Sequence, residues 1–170
     1  MTSQTDSATT SRIRLADATL AIYTSITLLG VIAAASWKGL FSDERELFVI
    51  IVGTSITLAV AHAWAAVAAH RLVHSTGLSA SERRHELRGM AVIITVGAAA
   101  SAAFGVSALV SDNLDQSVQL TILVLIAVLF LVGIVGSRRR GDSWPRAVGW
   151  GVADASIGLA VLALKVLVGS

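Results

Sequence analysis

Three features of this 170-residue chain predict an all-α fold, a polytopic membrane bundle of five helices in one domain. Hydrophobic residues fill 55% of positions and charged residues 14%, where a soluble domain carries roughly 25% charged. Five apolar runs of about the 20 residues that cross a bilayer alternate with short polar connectors. The single proline, Pro145, lies in a connector, so no run carries a proline kink. The mean hydropathy of +0.77 agrees with this class.

Residues 1–13 are polar, rich in Ser and Thr and aperiodic, and read as a disordered tail ahead of a single bundle over 14–170. Arg12 and Arg14 then precede the first span, 16–37, closed at the interface by Trp37 and Lys38. A cleaved signal peptide is the rival reading, since Ala33-Ala34-Ala35 resembles a cleavage site; four spans would then remain. The run is longer than an h-region of about 7–15 residues, and Thr24, Ser25 and Thr27 interrupt it.

The second span, 47–69, follows a short turn with an acidic excess. Gly77 stops it, and Ser79 or Ser81 can cap the next helix with Glu82 in its first turn. ERRHELR from Glu82 runs as a charged helical turn into the third span, 89–110. There Gly97, Ser101 and Gly105 recur every four residues, a small-residue face that lets helices approach closely, so this helix is expected inside the bundle. The fourth span, 118–136, is apolar all round and reads as the helix that faces lipid. A basic turn, SRRRGDSWPR from Ser137, leads to the fifth span, 147–168, with Pro145 where a helix start tolerates it.

Charge sets the expected orientation. Of 13 Lys and Arg, ten fall in the tail and the two basic connectors: Arg12, Arg14, Arg71, Arg83, Arg84, Arg88, Arg138, Arg139, Arg140 and Arg146. Lys38, Arg45 and Lys165 fall on the other side. Short cytoplasmic loops carry the basic excess, which predicts a plasma-membrane protein with its N-terminus cytoplasmic and its C-terminus external.

The segment AHAWAAVAAHRL from Ala61, the ERRHELR turn and the ending SWPRAVGWGVADASIGLAVLALKVLVG from Ser143 resemble small uncharacterised integral membrane proteins of high-GC actinobacteria. That resemblance implies a membrane protein and no particular activity. Phe41-Ser42-Asp43 resembles part of the first-helix signature of a bacterial potassium-channel family, but the arginine expected four residues before the Phe is Trp37 here.

Ionisable groups at membrane depth are the candidate site. Counting 1.5 Å per residue, His62 and Asp154 both lie roughly 10–12 Å below the cytoplasmic surface. An Asp–His pair there could relay protons or line a polar path with Ser55 and Thr57, or could simply hold two helices together. Asp17, His70, Arg71 and Lys165 read as interface or anchoring residues, with Asp17 at a helix N-terminus and Lys165 able to snorkel.

No catalytic residue, metal site or cofactor is expected. Cysteine is absent, no G-x-S-x-G occurs, and the His70–His74 spacing lacks a third ligand. The net charge of +2 gives no case for nucleic acid. The expected partners are the lipid bilayer, further copies of the chain in a homo-oligomer, and a small ion or solute. Two functions follow: a small channel- or transporter-like protein with an intramembrane His/Asp site, or an accessory subunit of a larger membrane complex that transports nothing.

Overall fold

The computed structural model describes the backbone of residues 3–73, 79–110 and 113–169, and within them the side chains of 16–36, 38–72, 79–110, 113–163 and 167. Five helices make up the fold: α1 (Ser3–Lys38), α2 (Glu44–Val73), α3 (Ala80–Val110), α4 (Leu114–Arg139) and α5 (Trp144–Gly169). Each contains a segment long and apolar enough to cross a membrane. α1 starts at Ser3, so it takes in most of the segment whose composition reads as a tail.

Local chemistry sets the helix ends. At the start of α2 the Asp43 carboxylate accepts the Glu46 N–H (2.8 Å), while Glu46 reaches back to the Ser42 N–H (2.6 Å). α3 opens on a capping box in which Ser79 Oγ accepts the Glu82 N–H and Glu82 accepts the Ser79 N–H. Asn113 caps α4 by accepting from the N–H groups of Asp115 and Gln116. α1 and α4 both end in a Schellman turn on a left-handed glycine, Gly39 (φ 58°) and Gly141 (φ 85°). The Leu40 and Asp142 N–H groups donate back to the carbonyls of Ala35 and Ser137.

Consecutive helices pack side by side, α2 on α3, α3 on α4 and α4 on α5, forming an arc whose concave side is filled by α1. α1 touches all four of the others, α2 only thinly. Its buried face, with Ala21, Thr24, Ser25, Leu28, Leu29 and Ile32, meets Val96, Ala100 and Phe104 of α3 and Leu125 and Leu129 of α4 in one core. The hydroxyls buried on that face are satisfied within the helix: Thr24 donates to the Leu20 carbonyl and Ser25 to that of Ala21.

α3 lies within the bundle, between α2 and α4 and against α1. Its small residues do not all serve that packing. A Cβ on Gly97 would collide with Ser55 of α2, and Ser101 is half-buried, but a Cβ on Gly105 would meet nothing within 4 Å. Gly105 is therefore not a packing residue among the described contacts.

The fourth span is not exposed all round, as a helix that only faces lipid would be: Leu123 and Leu131 are exposed, but another side is covered. α4 packs against α1, α3 and α5, and a stripe of Ser117, Thr121, Leu125, Leu129, Gly133 and Ser137 is buried along it. A helix that is apolar on every side shows no face in its periodicity, so its neighbours alone decide which side is inside. α4 and α5 cross closely because Gly133 and Gly151 oppose each other. A Cβ on Gly133 would lie 2.8 Å from Gly151 Cα, and one on Gly151 would lie 2.8 Å from the Phe130 carbonyl oxygen.

Candidate functional site

The antiparallel α2–α3 hairpin brings together residues roughly equidistant from its connector. Ser55 meets Gly97, His62 meets Glu86 and Gly89, and His70 meets Glu82. His62 Nε2 lies 3.3 Å from Glu86 Oε2, with the two side chains 29% and 26% exposed. Gly89, one turn on from Glu86, gives the imidazole its seat: a Cβ there would stand 2.7 Å from Nε2. His70 Nδ1 and Glu82 Oε1 approach to 3.8 Å further along the same seam.

α1 closes the third side. Its Asp17 carboxylate accepts from Arg88 of α3 at 2.8 Å and is 18% exposed. Asp17, Thr19, His62, His85 and Glu86 line a cleft of about 370 Å³ between α1, α2 and α3. Ala16, Leu20 and Gly89 form the rest of its wall. Two carboxylates and two imidazoles thus meet in one opening, with the Arg88 guanidinium on Asp17. An imidazole against a carboxylate can take up and pass on a proton, and a cleft this size admits a small polar molecule.

The cleft lies near one end of the spans. From Asp17 to Trp37 α1 climbs about 30 Å, the full hydrocarbon thickness. Asp17 therefore lies at one end of the apolar length of α1, with Glu86 and His62 close to it. Of the four residues of the sequence-derived polar site, His62 lies here, and Asp154, Ser55 and Thr57 lie elsewhere. His62 does not pair with Asp154: α2 and α5 occupy opposite ends of the arc, with α1 between them, and His62 pairs with Glu86 instead. Asp154 rests over α4, its Oδ2 2.6 Å from where a Gly133 Cβ would be.

Ser55 and Thr57 do not line a path with His62. Ser55 is buried against Gly97 and donates to the Ile51 carbonyl (2.8 Å), while Thr57 is exposed. Asp17 is an ion-pair partner of Arg88 and not a free interfacial cap. Arg71 is exposed. The side chain of Lys165, and all of His74, lie outside the described residues. Among the described residues no group of three or more His, Cys, Asp or Glu is placed to hold a metal ion.

Sequence reading missed Glu86, Arg88 and His85 because ERRHELR looks like a solvated connector. A signal was present. α3 is helical from Ala80, so Glu82, Glu86 and Gly89 fall on one face of its opening turns, opposite His70 and His62 at the end of α2. Comparison with family models, curated proteins and solved structures gives no match for this chain.

Proposed function

We propose that this integral membrane protein is a small transporter- or channel-like protein that passes protons or a small polar solute by way of the α1–α2–α3 cleft. The observation that carries the reading is the His62–Glu86 pair beside the Asp17–Arg88 pair at one cleft near the end of the apolar spans. Ionisable groups so close to hydrocarbon are costly and mark ion or solute pathways. In this reading His62 and Glu86 exchange the proton, Arg88 orients Asp17, and Asp154 is a separate group on the far side of α1. The basic connectors favour a plasma-membrane topology with the cleft toward the cytoplasm, and the bundle's small size favours a homo-oligomer.

Purified protein in liposomes with a pH-sensitive dye inside provides the test. An imposed proton gradient should dissipate faster than in empty liposomes, and His62→Gln or Glu86→Gln should abolish the difference while the variants still fold. Flux unchanged in both variants would sink the proposal. The second reading, an accessory subunit, is favoured by the large apolar side chains on the outer faces of α2 and α5, among them Trp64 (67% exposed), Val60 (58%) and Leu159 (55%). It predicts no flux in the same liposomes and a stable complex with another membrane protein.

A further inference from the structure

A second charged site lies on the opposite flank of the same end of the bundle, in the turn between α4 and α5. The turn carries four arginines, Arg138, Arg139, Arg140 and Arg146, and one carboxylate, Asp142. That carboxylate is already engaged: it accepts from Ser137 Oγ at 2.7 Å and lies 3.5 Å from Arg140 Nε. These contacts, with Arg140 and Arg146 nearby, hold its pKa below the ordinary 3.8, so it remains an anion and neutralises at most one of the four cations.

The turn is built rather than loose. The Schellman turn on Gly141 fixes its backbone, and Arg138 donates to the Asp142 carbonyl at 2.7 Å. Arg138 also lies over the Trp144 ring (5.0 Å to the centroid) and Arg140 over the Trp150 ring (5.3 Å). Both rings are more than half exposed. Indoles of this kind favour the membrane–water boundary, and stacked guanidiniums keep their outer N–H groups free for an anion. α4 extends about 39 Å against a hydrocarbon core of about 30 Å, which carries the turn to headgroup level.

We propose that the α4–α5 turn is a binding site for the phosphate headgroup of an anionic phospholipid, with Trp144 and Trp150 against its glycerol and upper acyl region. Three features together select a lipid over a soluble anion: uncompensated guanidiniums, exposed indoles and apolar helix faces directly below. Zwitterionic lipids present the same phosphate with a cation attached, so the net positive turn discriminates against them. The site is separate from the α1–α2–α3 cleft and holds whether or not that cleft passes anything.

The test is lipid retention by the full chain, measured by native mass spectrometry from micelles holding equal amounts of phosphatidylglycerol and phosphatidylcholine. The wild type should retain phosphatidylglycerol preferentially, and added salt should reduce the preference. Arg139→Gln with Arg146→Gln spares the Ser137–Asp142 bond and both Trp stacks. Each charge removed should cost about five-fold, so the pair should cost about 25-fold. Arg139→Lys with Arg146→Lys should keep most of the preference, and Arg45→Gln at the other end should keep all of it. If the double Gln variant does not fold, Arg146→Gln alone should still show about a five-fold loss. Equal retention of the two lipids, an unchanged double variant, or an equal loss in Arg45→Gln would overturn the site. Displacement of the lipid by inorganic phosphate would overturn its assignment to lipid.

Discussion

Gly97 and Ser55 offer the sharpest test of how α2 and α3 meet. A Cβ added at Gly97 would collide with both Oγ and Cβ of Ser55, while Ser55 Cα, at 3.8 Å, would be in ordinary contact. Rotating the serine moves Oγ aside, but its Cβ is fixed by the backbone of α2. Gly97→Ala must therefore push the two helices apart, and overpacking of this kind costs about 1–3 kcal/mol. Ser55→Ala leaves the Cβ in place and should not relieve the strain. Ser55→Gly removes both offending atoms, at about 0.5–1 kcal/mol for a glycine inside a helix. The double variant Gly97→Ala with Ser55→Gly should then lie within about 1 kcal/mol of wild type, since the new alanine recovers helix propensity at 97. Gly105→Ala is the internal control and should stabilise by up to about 1 kcal/mol, because nothing lies within 4 Å of its Cβ position and the alanine gains helix propensity. Unfolding in detergent, followed by tryptophan fluorescence, gives the stability of the wild type and of each variant, and the coupling between the two sites. A Gly97→Ala variant as stable as wild type would refute the reasoning, as would equal rescue by Ser55→Ala and Ser55→Gly.

Three further outcomes are expected. A double-mutant cycle between His62 and Glu86, both part-exposed, should give a coupling of about 0.5–1 kcal/mol, while His62 and Asp154 should be additive within about 0.5 kcal/mol; significant coupling in the second cycle would contradict the helix arrangement. Leu125→Ala or Leu129→Ala, at fully buried positions, should cost about 2–5 kcal/mol of unfolding free energy, and Leu123→Ala or Leu131→Ala, 61% and 56% exposed, should change it by less than about 0.5 kcal/mol. The Asp142 carboxyl has a folded pKa below 3.8, so its contribution is present above 3.8 and is lost as pH falls through the lowered value. The stability gap between wild type and Asp142→Ala should be largest near neutral pH and shrink in acid; a gap that widens on acidification would reverse the sign.

What the sequence determined by itself is whatever depends on one helix at a time. The five apolar runs, the Ser79–Glu82 capping box, the helix stops at short connectors and the concentration of arginines at one end are all local, set by composition and by neighbours within four residues. The same holds for His62: an imidazole deep in an apolar run marks a site without any knowledge of its partner. The partner was a different matter. Depth along the membrane normal can be counted from either end of a helix, and it put His62 level with Asp154. Azimuth around the bundle cannot be counted, and it is azimuth that separates α2 from α5 by the width of α1.

The same lack hid the interior role of α4, whose leucines read alike on every side until α1, α3 and α5 bury one stripe of them. It also split Gly97 from Gly105, which share a spacing but not a neighbour. Glu86 was misread for a related reason: a charged turn looks solvated in sequence, and only the α2–α3 hairpin shows that one of its faces is covered. Hydrophobicity and hydrogen bonding along a helix are short-range and therefore legible. Which helix covers which face is decided by close packing between segments far apart in the chain, and that information exists only in the assembled bundle.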